Sequence, residues 1–312
     1  MMPVNGRDML ERANTLIKDK LMNWMTATGD FDTAIDGFSC YRRDKPHHHE
    51  NRLYPSQILV VVQGRKNSRL GNEEYVYGAN ACLVIGLDMP SASHVYDVSP
   101  DQPFLSLSLR LDKSLVNQLM AESPRPLSPD VHSAKGIAMG QVDGHILDAF
   151  HRLTELVENH SQIPVLAPLI IREIHYRLLE GPLGDHIRDF STAGTQCHQI
   201  SQAVTWLRSN YGEPLKIEEL AAMVNMGTST FHRHFKKVTS LSPLQFQKRL
   251  RLYEAQRLML TDNQDASRAA LAVGYESPTQ FNREYKRLFG EPPLRNISRI
   301  QHQPRAAETI PG

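Results

Sequence analysis

Hydrophobic and polar positions change their period twice along the chain. Residues 8–25 place apolar side chains at helical spacing and predict an amphipathic helix. From about residue 35 to residue 111 the period becomes two. Within that stretch, residues 104–111 alternate, and residues 57–63 are apolar on both faces, as in a buried strand. Short segments of this kind, punctuated by glycine and proline, predict a small antiparallel β-barrel.

A hairpin and two further helices follow from local patterns. Residues 68–77 carry strand formers on both sides of a Gly-Asn pair, which favours a tight turn. After residue 112 the spacing is helical again, with one amphipathic helix around residues 146–157 and another over residues 166–179. Glycine and proline at 181–184 end the second helix, so residues 185–196 are predicted to be an inter-domain linker.

Charge is distributed unevenly between the two halves. Residues 197–300 contain 15 Lys or Arg against 9 Asp or Glu, a net charge of +6, whereas residues 1–196 contain 19 against 24, a net charge of −5. The overall charge of +1 hides this asymmetry. Only the C-terminal third has the positive charge expected of a nucleic-acid-binding domain.

The basic region contains an internal repeat. Residues 231–243 match residues 281–293 at an offset of 50, and each copy follows a short helical pattern and a turn containing glycine. Four positions are identical in the two copies: Phe231/Phe281, Arg233/Arg283, Lys236/Lys286 and Pro243/Pro293. The arrangement predicts two helix-turn-helix units in tandem.

Each predicted second helix has one apolar and one polar face. The polar faces combine small, hydrogen-bonding and basic side chains, which suit base edges in a major groove. They comprise Ser229, His232, Arg233 and Lys236 in the first unit and Thr279, Gln280, Asn282, Arg283 and Lys286 in the second. We interpret Lys237, Arg249, Arg251 and Arg287 as phosphate contacts or solvated charges.

Residues 199–297 resemble the DNA-binding domain of the AraC/XylS family of bacterial transcriptional regulators. The resemblance is carried by residues 214–221, Ser242-Pro243, residues 273–275 and Ser277-Pro278. It implies seven helices in two subdomains joined by a long helix at residues 243–260, with both recognition helices in adjacent major-groove segments. The chain departs from the family at Gly227, where a capping serine is usual, which predicts a weaker helix start. It also departs at Leu271, where a polar residue is typical, which predicts an exposed apolar side chain.

The N-terminal half resembles the AraC-type regulator N-terminal domain, especially at residues 57–69, 87–90 and 168–182. That resemblance implies a cupin-like barrel that takes a small-molecule effector, followed by helices that form a homodimer. Aromatic and histidine side chains in the strands are candidate effector contacts. They are Tyr54, Tyr75, Tyr96 and His94.

The fold class expected from these features is α+β: a cupin-like antiparallel β-barrel with helices, then an all-α domain with two helix-turn-helix units. The predicted segments are an N-terminal helix (1–28), a sensor and dimerisation domain (29–184), the linker (185–196), the DNA-binding domain (197–300) and a flexible tail (301–312). The predicted function is sequence-specific regulation of transcription. Double-stranded operator DNA and RNA polymerase are the expected partners.

Two other functions stay open. The chain could bind DNA constitutively, with an N-terminal half that only dimerises. Residues 47–50, a run of three histidines and a glutamate, together with His94, follow the order of metal ligands in enzymatic cupins and leave a metal-dependent enzyme as the lesser alternative. In enzymatic cupins the glutamate lies several residues after the histidines, whereas Glu50 directly follows His49. We therefore predict no metal and no cofactor there.

Other sequence features argue against further classes of protein, namely membrane proteins, secreted proteins and enzymes. No apolar run approaches the length of a membrane span, and residues 1–20 lack a secretory signal, so we expect a cytoplasmic protein without a membrane partner. The three cysteines, Cys40, Cys82 and Cys197, are too far apart in sequence for a metal knuckle and are expected to be reduced thiols. Redox sensing by Cys40 or Cys82 is a minor alternative. The sequence contains no nucleophile elbow, phosphate loop or dinucleotide-binding fingerprint, so we expect no enzyme activity.

Overall fold

The computed structural model describes residues 6–46, 50–70, 73–125 and 135–302. The predicted first helix is α1 (Gly6–Trp24), which buries Ala13, Ile17 and Leu21 along one stripe. Within the described residues, ten strands and a further set of helices follow it. The strands are β1 (Gly29–Asp32), β2 (Phe38–Arg43), β3 (Glu50–Tyr54), β4 (Gln57–Gln63), β5 (Arg65–Leu70), β6 (Glu73–Gly78), β7 (Ala81–Ile85), β8 (Met89–Tyr96), β9 (Phe104–Arg110) and β10 (Ile137–Gln141).

The antiparallel β domain is confirmed, and its described strands form two sheets. One sheet has the order β1-β2-β9-β4-β7-β10 and the other the order β3-β8-β5-β6. The strands that the structure describes do not close into a single barrel. The chain passes from the first sheet to the second at Gly64, where φ is +85° and an added Cβ would lie 3.0 Å from the Cα of Phe104.

The six-stranded sheet is buried on both faces, as predicted for β4. Leu59, Val61 and Leu83 point to the four-stranded sheet and pack with Tyr77 and Val95. The alternate residues of the same strands face the helices and join the largest core cluster. The predicted hairpin is confirmed as the β5–β6 pair, although residues 71 and 72 lie outside the described part.

The helices after the sheets match most of the predicted segments. They are α2 (Lys113–Glu122), α3 (Gly144–Leu156), α4 (Ile163–Glu180), α5 (Gly184–Ser191), α6 (Gln196–Ser209), α7 (Ile217–Met223), α8 (Thr228–Thr239), α9 (Pro243–Thr261), α10 (Ala266–Ala272), α11 (Pro278–Phe289) and α12 (Pro293–His302). Residues 196–302 thus hold the seven helices that the family resemblance implies, including the long one.

Most of the stretch predicted to be a linker is helical. Residues 185–191 belong to α5, which buries Ile187 and Phe190. An Arg188 Nη1–H donates to the Leu179 carbonyl at 2.6 Å, so α5 is tied back to the end of α4. The segment therefore has a packing role, and the domain boundaries themselves stay a prediction.

The first helix-turn-helix unit shares its core with the β domain. Ile85, Leu87 and Met89 belong to the same buried cluster as residues of α6, α7, α8 and α9. The backbone N–H of Gly136 also donates to the Val238 carbonyl near the end of α8, at 2.9 Å. The second unit has a separate core built on α9, α10 and α11.

Candidate nucleic-acid interface

The first unit is α7, a turn and α8. Asn225 adopts a left-handed conformation (φ +56°), and the next backbone N–H, that of Met226, donates to the Ala221 carbonyl at 2.9 Å. This reverses the chain within a few residues, so that α8 begins close to the end of α7. Gly227 is the N-cap of α8 and provides no side-chain hydrogen bond, as expected from its missing hydroxyl.

The second unit repeats this geometry with stronger caps. Gly274 takes the left-handed position (φ +83°), and the N–H of Tyr275 donates to the Ala270 carbonyl, again at 2.9 Å. Ser277 accepts a hydrogen bond from the Gln280 N–H at 3.3 Å, and Pro278 occupies the first turn of α11. The turn holds one residue more than in the first unit, so the offset between the repeats changes from 49 to 50 there.

Both second helices bury aromatic residues and expose their polar faces. Phe231 and Phe235 are buried in α8, and Phe281 and Tyr285 are buried in α11. All nine predicted DNA contacts are solvent-exposed: Ser229, His232, Arg233, Lys236, Thr279, Gln280, Asn282, Arg283 and Lys286. Both polar faces are therefore exposed to solvent.

Most of the polar side chains on these two faces make no side-chain hydrogen bond to another described residue. Within the described part of the chain, neither Arg233 nor Arg283 makes an ion pair or a side-chain hydrogen bond. Gln280 is the exception, because its Nε2–H donates to Glu284 Oε1 at 3.3 Å. His234 lies on the inner side of α8. Burial, and then the nearby charges of Arg233 and Lys237, lower the pKa of its imidazole and favour the neutral ring.

The two units are joined by side chains of α9 that sequence reasoning missed. The Arg251 guanidinium donates to the carbonyls of Tyr211 (2.7 Å), Gly274 (2.8 Å), Glu213 (3.1 Å) and Gly212 (3.2 Å). It therefore links the loop before α7 to the turn of the second unit. Our interpretation of Arg251 as a phosphate contact or solvated charge was wrong, because these carbonyls occupy its donors.

Two other side chains of α9, those of Gln247 and Lys248, also connect this helix to the two units. Gln247 Nε2–H donates to the carbonyls of Tyr211 at 3.1 Å and Glu213 at 2.7 Å. Lys248 pairs with Glu284 of α11 at 2.8 Å, and the Tyr275 hydroxyl donates to the same carboxylate. Burial by itself would raise the pKa of Glu284, but the hydrogen bonds from Lys248 and Tyr275 and the charge of Lys248 act together to lower it. The relative position of the two units is thus set by polar contacts on one helix.

A small cavity lies between the two sheets of the N-terminal domain. Its lining includes Tyr54 and His94 from the predicted effector contacts, but not Tyr75 or Tyr96. Tyr75 instead donates to Glu73 at 2.8 Å, and Tyr96 packs edge-on against His94 at 4.3 Å between ring centroids. With a volume of about 20 Å³, the cavity has room for about one water molecule.

The cavity is lined by positive charge that sequence reasoning missed. Arg43 and Arg52 both bind the carboxylate of Asp30. Lys66 donates to the Tyr54 hydroxyl at 2.8 Å and lies over the ring of Phe104. Among the described residues Lys66 has no carboxylate partner. Strand alternation was the available signal, since residues two apart on β3 share a face, as Arg52 and Tyr54 do.

The candidate metal ligands are only partly described. His47, His48 and His49 lie outside the described residues, and so does the side chain of Glu50. Across residues 6–46, 50–70, 73–125 and 135–302, no group of three or more His, Cys, Asp or Glu side chains could hold a metal ion.

All three cysteines are buried free thiols. Burial raises the pKa of Cys82 to about 12 and raises the pKa of Cys40 further. Burial and the neighbouring Asp189 raise the pKa of Cys197 as well. A thiol reacts with oxidants as its thiolate, so these environments disfavour redox sensing.

Two family matches cover most of the chain. Residues 34–186 match the AraC-type transcriptional regulator N-terminus, and residues 220–296 match a helix-turn-helix domain. The chain belongs to the AraC/XylS family. It is a DNA-binding transcriptional regulator, and its partner is double-stranded DNA.

Individual relatives agree with this assignment. The regulator is 23% identical to the HTH-type transcriptional activator RhaS of Escherichia fergusonii over 248 residues, which cover 79% of this chain and 85% of that protein. It is 30% identical to the HTH-type transcriptional regulator GbdR of Pseudomonas aeruginosa over 100 residues, 32% of this chain and 27% of that one.

Solved structures show that the fold is shared. A 1.65 Å structure of ToxT from Vibrio cholerae superposes with a TM-score of 0.55 at 12% identity, covering 84% of this chain and 97% of that one. Another ToxT structure, bound to an unsaturated fatty acid, gives a TM-score of 0.55 at 11% identity and covers 85% and 96%. In the part of the regulator that the structure describes, no helix is long and apolar enough to cross a membrane.

Proposed function

We propose that the regulator places α8 and α11 in adjacent major-groove segments of one promoter operator. The exposed polar faces of the two helices would read base edges, with Arg233 and Arg283 as the central contacts. The observation that carries this proposal is the linkage through Arg251 and Gln247, which holds two similarly built units in one relative orientation. Two recognition helices in a fixed relation suit a bipartite site with a fixed spacing.

Selection of binding sites by the full-length chain tests this proposal. From a randomised duplex library, we expect a bipartite site whose halves are about one helical turn apart. Arg233→Ala and Arg283→Ala should each relax the base preference in one half, at a cost of about 1–3 kcal/mol. Arg12→Ala is the matched control, because Arg12 is an exposed arginine on α1. Sequence-independent binding, unchanged by either helix variant, would contradict specific regulation.

The cavity between the sheets is the proposed effector site, and its charge favours an anionic effector. Among the described residues, the lining carries three positively charged side chains, Arg43, Arg52 and Lys66, and Arg43 and Arg52 bind the carboxylate of Asp30. ToxT, which shares the fold, has been crystallised with an unsaturated fatty acid. The cavity in this structure is too small for such a ligand, so binding would require the sheets to separate.

Thermal stability of the full-length regulator in the presence of carboxylate ligands tests the effector site. Unsaturated fatty acids and short dicarboxylates are suitable probes. We expect one of them to raise the unfolding temperature, and Lys66→Met to abolish that rise while leaving DNA binding intact. A rise of the same size in Lys66→Met would place the ligand elsewhere. A failure of every anion would favour the constitutive alternative.

A homodimer is favoured by an exposed apolar face on α4. Val165 is 66% exposed and Leu169 is 60% exposed on the same side of this helix, and Tyr176 is exposed two turns further on. We propose that this face pairs with a second copy, as the family resemblance implies. Light scattering should give the mass of a dimer for the native chain and of a monomer for Leu169→Glu. A native monomer at micromolar concentration would contradict it.

Three further proposals concern how the regulator acts at a promoter. We propose that RNA polymerase is the second macromolecular partner, that the regulator acts in the cytoplasm, and that it works by binding alone, without catalysis. Transcription in vitro from a selected operator, with purified polymerase and the full-length chain, tests the first of these. Transcript levels that do not respond to the regulator would contradict it.

A further inference from the structure

The outer face of the four-stranded sheet lies against the second helix-turn-helix unit. On β3, the Asn51 amide donates to the Leu288 carbonyl at the end of α11, at 2.9 Å. The Tyr253 hydroxyl of α9 lies 3.5 Å from the Ser91 carbonyl on β8. These contacts bring one face of the sensor domain against the helix that joins the two units.

Three arginines from three elements converge at this junction. Arg69 pairs with Ala92 on β8, beside Ser91, so it stands next to the Tyr253 contact. Arg249 precedes Tyr253 by one helical turn and lies on the same side of α9. Arg287 directly precedes Leu288, whose carbonyl binds Asn51. The three guanidinium groups thus come from the sensor domain, the connecting helix and the second recognition helix.

No carboxylate within the described part of the chain pairs with any of these arginines. Among the described residues, the side chains of Arg69, Arg249 and Arg287 make no hydrogen bond and no ion pair. Two acidic residues near the junction have other partners. Glu74, opposite Arg69 on β6, accepts from Asn67 at 3.5 Å, and Glu284 of α11 pairs with Lys248.

The environment of Arg249 disfavours its positive charge. Arg249 is half-buried, and burial lowers the pKa of its guanidinium. The positive charges of Arg69 and Arg287 lower the pKa further, although Tyr253 opposes them. Like charges that face each other across a docked interface oppose docking, unless an anion lies between them.

We propose that Arg69, Arg249 and Arg287 form a binding site for a phosphate group that bridges the sensor domain and the second helix-turn-helix unit. Planar guanidinium groups from different directions match the tetrahedral array of oxygens on phosphate. The site is separate from the proposed effector cavity, which lies on the opposite face of the same sheet. Its phosphate can be a free anion or a backbone phosphate of bound DNA, because both present the same oxygens.

Thermal unfolding of the full-length chain with inorganic phosphate tests the free-anion source. At constant ionic strength with chloride, phosphate should raise the unfolding temperature by a few degrees once it exceeds its dissociation constant about tenfold. Arg69→Gln and Arg249→Gln should lose the rise, whereas Arg12→Gln, on α1, should keep it. Arg69→Glu supplies an internal carboxylate, so it should raise the unfolding temperature without phosphate and abolish the response to it.

Salt-dependent binding to a random-sequence duplex tests the DNA source. If a backbone phosphate fills the site, Arg69→Gln and Arg249→Gln should each reduce the slope of log affinity against log salt by about one, and Arg12→Gln should not. A response in either assay supports the site and assigns its source. Wild-type behaviour of both variants in both assays overturns the proposal, even if operator recognition by α8 and α11 is intact.

Discussion

Arg251→Met separates the two helix-turn-helix units without touching either recognition face. Methionine keeps much of the side-chain length but removes every donor to the carbonyls of Tyr211, Gly212, Glu213 and Gly274. A hydrogen bond from a charged donor contributes about 1.5–3 kcal/mol, but bonds from one group are not additive, and water can replace some of those to the loop. We expect a loss of about 3 kcal/mol in the free energy of unfolding.

The same substitution should weaken recognition of a bipartite operator. With the link removed, the two recognition helices no longer hold one relative orientation, so binding of the first orders the second less effectively. We expect affinity for the selected bipartite site to fall by about tenfold to a hundredfold, which is about 1.4–2.8 kcal/mol. Affinity for a duplex that carries one half-site should be unchanged, because neither recognition face is altered.

Urea unfolding and fluorescence anisotropy on the two duplexes measure these effects. Arg257→Met is the matched control, since Arg257 lies on the same helix and pairs with Glu254 at the surface, where such a pair contributes about 0–1 kcal/mol. Wild-type stability and wild-type affinity for the bipartite site in Arg251→Met would refute the reasoning. A parallel loss on both duplexes would point to general unfolding of the DNA-binding domain.

Three smaller predictions follow from caps, protons and thiols. Gly227→Ser should stabilise the chain by a few tenths of a kcal/mol in urea unfolding, because Gly227 has an N-cap conformation that any residue can adopt (φ −71°, ψ 148°) and open space at its Cβ; Gly227→Ala, which adds a Cβ without a hydroxyl, should not match it. His175 accepts from the Asp112 N–H, and burial lowers the pKa of its imidazole below 6.5, so the folded state binds fewer protons than the unfolded state. The free energy of unfolding should therefore decrease as the pH falls below about 6.5, and His175→Gln should flatten that decrease; an equal slope in the variant would assign it to another group. A thiol reagent at about pH 8 should label no cysteine in the folded chain and all three in denaturant, since burial keeps the thiols protonated. Rapid labelling of Cys40 or Cys82 in the native state would restore the redox hypothesis.

Local patterns explain which parts of the fold were predictable. The helices and the recognition faces follow from side-chain periodicity, and the turns follow from residues that tolerate positive φ, as at Asn225 and Gly274. The contrast between the caps Gly227 and Ser277 is also a local property. Even the exposed apolar position at Leu271, 63% exposed, follows from its place on an amphipathic helix.

Contacts between distant segments account for what was missed. In the sequence, Arg251 is one of several basic residues that could contact DNA. Its structural role depends on two distant segments, which place the carbonyls of Tyr211 and Gly274 beside its guanidinium group. Helix α5 falls in a stretch with linker signals, yet Phe190 packs closely against Gly86, where an added Cβ would lie 2.2 Å from its ring. The division of the strands into two sheets depends on pairings such as β2 with β9, which are more than sixty residues apart in sequence.

The two helix-turn-helix units differ in how they pack against the β domain, and therefore in how they are coupled to it. The first unit shares a continuous apolar cluster with the β domain, and Gly136 is so close to α8 that an added Cβ would lie 2.9 Å from the Val238 carbonyl. A movement of the sheet must therefore move α8 or open a packed core, which costs several kcal/mol. The second unit meets the sheet through two described hydrogen bonds and a cluster of like charges, so its docking responds to bound anions and to salt. A signal from the sensor would reach the two half-sites by different physical routes, through packing at one and through electrostatics at the other.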